Sequence, residues 1–203
     1  SIPELRSQIA IVTQEPILFN DTVRNNIAYG LPDASEQQIT RAAKAAYAYE
    51  FINSFPDGFN TLIGELGGRL SGGQKQRICI ARALAAEPDL IICDEITSAL
   101  DQLVAEGILK LLLSLQRKLQ VSYLFITHDL ATVKAISDEI VVMLNGRIVE
   151  KGPKKEILAP PHHEYPDLLL YSVPEMDPGW LDNLLKVRAR LSDRLIGPTP
   201  VFV

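Results

Sequence analysis

No apolar run in these 203 residues approaches the ~18 that a membrane-spanning helix needs, so the chain carries no span of its own. Nor is there an excess of positive charge. The formal net charge is −5, which excludes a large nucleic-acid footprint, since that normally shows as a basic surface. Cysteine is scarce: Cys79 and Cys93 each sit inside an apolar run. Two cysteines with no histidine nearby exclude a zinc site and read as buried, reduced thiols. His162 and His163 lack an acidic or cysteine partner at ligand spacing and read as an exposed pair. There is no internal repeat, no low-complexity tract and no charged-then-apolar leader at the start. The expectation is a soluble, cytosolic chain that can dock on a membrane protein.

What is present suffices for a core, at 47% hydrophobic residues. Residues 9–13 read as a strand ending in polar residues and a proline. FNDTVRNNIAYG reads as a loop and a short helix, with Asp21 available as its cap. Ser35 and Gln38 form a capping box opening an alanine-rich helix expected to run to about residue 51. Pro56, Asp57 and Gly58 mark a turn. A glycine-rich stretch, GELGGRLSGGQ, precedes a helix over KQRICIARALAAEP that Pro88 stops. DLIICDE and YLFITH read as buried strands. Between them, residues 102–120 place Ile108, Leu111, Leu112, Leu115 and Leu119 on one helical face. EIVVMLNGRIVE is a hairpin turning at Asn145-Gly146. Strands alternating with helices indicate an α/β fold with a largely parallel sheet. Prolines cluster beyond Lys151, and residues 156–203 read as a loosely packed extension.

Chemistry concentrates in three places. In Leu70-Ser71-Gly72-Gly73-Gln74 two glycines let the backbone approach an anion, and a helix N-terminus points at the same place. An ordinary glycine turn capping a helix would look the same. Asp94 and Glu95 close an apolar strand with adjacent carboxylates, one suited to hold magnesium and the next to polarise an attacking water. Two charges at a solvated strand end are the plain alternative. His128 ends the next strand, where a histidine can touch a γ-phosphate or simply face solvent. Gln14 follows the first strand and means nothing by itself.

Their order is specific. Gln14, LSGGQ, the apolar run ending in Asp94-Glu95, Ser98-Ala99-Leu100-Asp101 and His128 together resemble the ABC ATPase family over residues 8–152. The resemblance implies a P-loop NTPase-type core over residues 1–18 and 84–155, an inserted helical subdomain over 19–83, and the cofactors ATP and Mg²⁺. It implies Glu95 as catalytic base, Asp94 and Gln14 serving the magnesium through water, and His128 on the γ-phosphate. Ser71, Gly72, Gly73, Gln74 and Asp101 would serve ATP bound on a partner subunit. The implied partners are a second ATP-binding domain, head to tail, and membrane-spanning transporter subunits at the inner face of the cell membrane. No nucleic acid is implied.

Two departures stand against the family pattern. The loop GxxxxGK[ST], which grips phosphates with backbone N–H groups and a lysine, is absent, since no lysine here precedes serine or threonine. The strand before that loop would lie upstream as well, leaving strands 9–13 and 89–93 with an uncovered flank. The second departure is one of subfamily. VTQEPILFNDTVRNNIAYG and Thr61-Leu62-Ile63-Gly64-Glu65 resemble exporters. AAEPDLIICDEITSALD, YLFITHDLATVKAISDEIVVM and HHEYPDLLLYSVPEMDPGWLD resemble oligopeptide and dipeptide importer subunits. That pattern fits either a mosaic joined near LSGGQKQR or one continuous divergent lineage. The function implied is the ATP-hydrolysing engine of a transporter, with peptide as cargo. A fragment that only lends its signature face to an intact partner, and a soluble ABC ATPase of translation or DNA repair, remain open alternatives.

Overall fold

The computed structural model describes residues 1–31 and 33–159, and the backbone of Val201–Phe202. The chain divides into two compact units, residues 1–124 and 125–203.

In the first unit, helix α1 (Ile2–Ser7) leads into strand β1 (Ile9–Val12). The sequence reading passed over α1, although Ser1 and Glu4 form a capping box around Pro3 and were legible as a helix start. β1 lies parallel to β2 (Leu90–Asp94), with Ile9 opposite Leu90 and Val12 opposite Cys93. The sheet order is β1-β2-β3, where β3 is Ser122–Ile126. The expected uncovered flank over residues 9–13 and 89–93 falls on β1, an edge strand, and not on β2, which is the middle strand. Among the described residues the open edges belong to β1 and β3. β3 is accordingly half-buried or exposed along its length, not the fully buried strand that its apolar run suggested.

Helix α5 (Gly72–Ala85) is the centre of this unit. It packs against α2 (Val23–Ala28), α3 (Glu36–Ala45), β1 and α6 (Gln102–Leu119). Ile78, Ile80 and Ala81 on it are fully buried, so its burial extends around the helix. α6 turns Ile108, Leu111, Leu112 and Leu115 inward, as their spacing predicts, while Leu119 at its last turn is 43% exposed. The alanine-rich helix stops sooner than expected. Tyr47 adopts φ 51°, and the amides of Tyr47 and Ala48 donate to the carbonyls of Lys44 and Ala43. That is a Schellman ending with tyrosine in the left-handed position usually held by glycine. Helix α4 (Tyr49–Asn53) then begins separately.

Arg82 ties the loop after β1 to α5. Its Nε donates to the Asn26 carbonyl at 2.7 Å, Nη1 to the Ile17 carbonyl at 2.7 Å, and Nη2 to Asn26 Oδ1 at 3.0 Å. The guanidinium also lies over the rings of Phe19 and Tyr29, which stack with centroids 4.1 Å apart. Burial lowers the arginine's pKa, while Cys79 and Tyr29 oppose the shift. Removing a charged donor that holds a carbonyl of the buried Asn26 costs about 1.5–3 kcal/mol. Arg82→Ala is therefore expected to lower the urea midpoint of unfolding by that free energy at unchanged slope. Arg82→Lys should recover little, because an ammonium cannot reproduce the planar fork. Lysine matching the wild type would show that charge alone suffices.

Both cysteines are buried and free. Burial pushes the Cys79 thiol up to about 11, against the pull of Arg82, and the Cys93 thiol up to about 12. Both are thiols at neutral pH and unreactive.

The second unit is built on a hairpin. β4 (Glu139–Leu144) and β5 (Arg147–Pro153) pair antiparallel, joined by Asn145 at φ 51° and Gly146 at φ 74°. Two positive-φ residues make the tight turn whose twist suits a hairpin. β6 (Val201–Phe202) pairs with the other edge of β4. Helices α7 (Leu130–Ile136) and α8 (Lys154–Ile157) supply Leu130, Val133 and Ile157 to a core with Ile140 and Val142. His162, His163 and nearly all of the expected extension fall outside the described residues.

Candidate functional site

The parallel register decides where the charged residues of the first unit fall. Val12 pairs with Cys93, so Gln14 and Glu95 each lie two residues past that pair, at the same carboxyl end of neighbouring strands. In open parallel sheets this is the end where ligands bind. Gln14 and Asp94 are exposed and Glu95 is half-buried. Glu95 takes φ 47°, an uncommon conformation for a residue with a side chain. Its carbonyl accepts from Ser98 N at 3.1 Å and Ser98 Oγ at 2.8 Å, which pins the turn.

The glycine-rich motif forms the start of α5. Ser71 is its N-cap: Ser71 Oγ accepts from Gln74 N at 3.3 Å, and Gln74 Oε1 accepts from Ser71 N at 2.9 Å. The helix begins at Gly72, three residues earlier than the KQRICIARAL pattern indicated. Gly72 and Gly73 are its first two residues, and such N–H groups have no intrahelical acceptor. Gln74 is thus engaged inside its own chain, while the two glycine amides are the groups suited to an anion. Asp101 also works locally, with its Oδ1 accepting from Val104 N at 3.0 Å to cap α6.

His128 belongs to the second unit, between β3 and α7, and is exposed. The next residue was missed by the sequence reading. Asp129 caps α7, accepting from Ala131 N at 2.9 Å, Thr132 N at 3.2 Å and Thr132 Oγ1 at 2.6 Å. The D-x-x-T spacing was its signal. On the short helix α2 the cap is Thr22, not Asp21: Asn25 N donates to Thr22 Oγ1 at 3.1 Å, and Asp21 Oδ1 instead receives Thr22 N and Asn25 Nδ2.

Among the described residues no group of three or more histidine, cysteine, aspartate or glutamate side chains could hold a metal. Asp94 and Gln14 nevertheless suit magnesium. That ion keeps several waters and binds through one or two carboxylates plus the phosphates of its substrate, not in an all-protein cage. A cleft of about 240 Å³ lined by Arg41, Leu84, Glu87, Asp89 and Leu119 lies elsewhere, beside the chain segment entering β2. It plays no part in this arrangement.

A parallel α/β sheet with carboxylates at its strand ends, and a helix begun by two glycines, are features that nucleotide-binding domains share. Residues 1–98 match the profile of the family described as ABC transporter, and over that stretch the chain belongs to it. Residues 149–195 match a second profile, the oligopeptide/dipeptide transporter C-terminal region. The chain is 52% identical over 154 residues to an ATP-dependent lipid A-core flippase of Desulfotalea psychrophila, which covers 76% of this chain and 26% of that protein. It is 47% identical over 161 residues to the heterocyst differentiation ATP-binding protein HepA of a Nostoc species, covering 77% and 25%. A solved bacterial Atm1-family ABC exporter with ATP bound superimposes with a TM-score of 0.73 and 37% identity, covering 86% of this chain and 30% of that one. The chain thus spans about a quarter of the length of these relatives. A 154-residue match within 203 residues must run through the middle of the chain, so the exporter likeness continues past residue 85. The importer-type match begins at residue 149. The chain is an ABC transporter ATP-binding domain with an importer-type tail profile.

Proposed function

We propose that this domain hydrolyses ATP in a head-to-tail pair and thereby drives a transporter. The observation that supports the reading best is the parallel register that brings Gln14, Asp94 and Glu95 to one strand end. Glu95 would accept a proton from the water attacking the γ-phosphate, as the new P–O bond forms and the bond to the bridging oxygen breaks. Asp94 and Gln14 would serve the magnesium that arrives with the nucleotide and offsets phosphate charge. His128 would contact the γ-phosphate. The amides of Gly72 and Gly73, with Ser71, would reach the phosphates of ATP held by the partner, and Asp101 would stand at the same interface.

Residues 19–83 would act as a helical lever between the pair and membrane-spanning partners on the cytoplasmic face. Ile17, Leu62 and Leu66 are 54%, 54% and 67% exposed. Their loops are joined: Val23 N donates to the Thr61 carbonyl, and Gly67 sits against Leu18. Clustered exposed apolar side chains mark a contact surface. No helix among the described residues is long and apolar enough to cross a membrane, so the spans would come from outside these residues. For cargo, the match over 149–195 favours peptides, while relatives named as flippases favour lipid A-core. Recovery of membrane-spanning transporter subunits with the tagged chain is the expected result. Enrichment of ribosomes or DNA with no such subunit would overturn it. Stimulation of the recovered complex's ATPase by peptide or by lipid then selects the cargo.

No segment of the 203 residues supplies GxxxxGK[ST]. The chain by itself is expected to bind ATP weakly and hydrolyse none. Magnesium-dependent turnover by the purified chain, abolished in Glu95→Gln, would contradict this.

A further inference from the structure

We propose that Gly72 and Gly73 are seats for Leu100 and Val104, and that this packing links the start of α5 mechanically to the loop that carries Glu95 and Asp101. The sequence assigns the two glycines to close approach of an anion. The geometry adds a constraint from inside the chain. A Cβ on Gly73 would stand 2.9 Å from Val104 Cγ1, a distance real Cβ atoms essentially never show. A Cβ on Gly72 would stand 3.3 Å from Leu100 Cδ2. The leucine end can swing aside, but Val104 is β-branched and lies in the first turn of α6, where one χ1 rotamer dominates. Its displacement must therefore move backbone.

The backbone it would move is closely tied. Val104 N donates to Asp101 Oδ1, Leu100 N to the Thr97 carbonyl, and Ser98 N to the Glu95 carbonyl. Each bond hands the displacement one step back toward Glu95, whose own φ of 47° leaves it little slack. In a head-to-tail pair, which rests on the function proposed above, the start of α5 meets the partner's nucleotide while Glu95 serves its own chain's.

The test needs no nucleotide, so it stands apart from that reading: its failure removes the link and leaves the function untouched. The 203-residue chain is prepared as wild type, Gly73→Ala, Val104→Ala and the double variant, and amide resonances and hydrogen exchange are followed by NMR. Gly73→Ala should shift the amides of Ser98, Leu100 and Val104 and speed their exchange, and Val104→Ala in the same chain should return them toward wild type. Arg82→Ala serves as a destabilised control remote from this packing and should leave those three amides in place. Changes confined to residues 70–77, or changes that Val104→Ala does not reverse, would overturn the proposal. Should Gly73→Ala fail to fold, recovery of folding in the double variant supports the link. A double variant that stays unfolded while Val104→Ala alone folds refutes it. Gly72→Ala with Leu100→Ala repeats the comparison at the milder contact.

Discussion

Glu95→Gln should cut ATP turnover by about 10²–10⁴-fold, the usual worth of a positioned general base, in an ATPase assembled from this chain and a segment carrying the phosphate loop. Glutamine nearly preserves the shape of glutamate but takes no proton at neutral pH. The backbone of residue 95 is held at φ 47°, with its carbonyl accepting from Ser98 N and Ser98 Oγ. The exchange leaves those bonds intact, so ATP affinity should remain near wild type and the nucleotide-bound dimer should accumulate. His128→Ala should slow turnover less, since on the proposed reading it removes a phosphate contact and leaves the general base in place. Equal losses of affinity and rate in Glu95→Gln would show that the carboxylate binds substrate and does not activate water. Unchanged turnover would remove Glu95 from the chemistry.

The parts of the fold that were legible are those fixed by local pattern. The alternating strands and helices, the Asn145-Gly146 hairpin, the Ser35/Gln38 box and the inward face of α6 depend on neighbours within a few residues. What escaped depends on choices that several residue types can fill. Tyr47 ends α3 in a left-handed conformation that sequence assigns to glycine, and Thr22 displaces Asp21 as a cap because either oxygen could serve. The burial of β3 could not be read, because strand order, not composition, decides which apolar run lies at an edge. The site divides likewise. Motif order nominated the candidate residues, since the proposed chemistry calls for those types in that order. The common strand end shared by Gln14 and Glu95 needed the register of β1 on β2. The contacts of Gly72 and Gly73 with Leu100 and Val104 needed the approach of α5 to α6, for which thirty residues of sequence separation give no local signal.

Ser71→Arg should abolish activity at the site its chain completes while leaving the site on its own strand ends able to work. Ser71 is exposed at the start of α5, so an arginine there is not forced into the core but fills the space a partner's phosphate would take. Part of any loss has a duller cause: Ser71 caps α5, and losing such a cap costs about 0.5–2 kcal/mol of stability. Ser71→Ala separates the two, because it removes the cap without filling the space. It should share the drop in thermal stability and lose less turnover than Ser71→Arg. The decisive arrangement mixes a Ser71→Arg chain with a chain whose supplied phosphate loop lacks its lysine. Each homodimer has two spoiled sites. In the mixed dimer both lesions fall on one composite site, and the other consists of an intact phosphate loop facing an intact Ser71-Gly72-Gly73. Activity should therefore reappear on mixing and rise with the fraction of mixed dimer measured by native mass spectrometry. A preparation rich in mixed dimers that remains as dead as either parent would mean that the two sites do not function independently, or that Ser71 does not face a partner's nucleotide. Adding Ser71→Arg to the lysine-less chain and pairing it with an unmodified one distinguishes these. An active product shows that Ser71 acts on its own chain's nucleotide, because a head-to-tail pairing would put one lesion in each composite site, and a dead product shows that the two sites do not function independently.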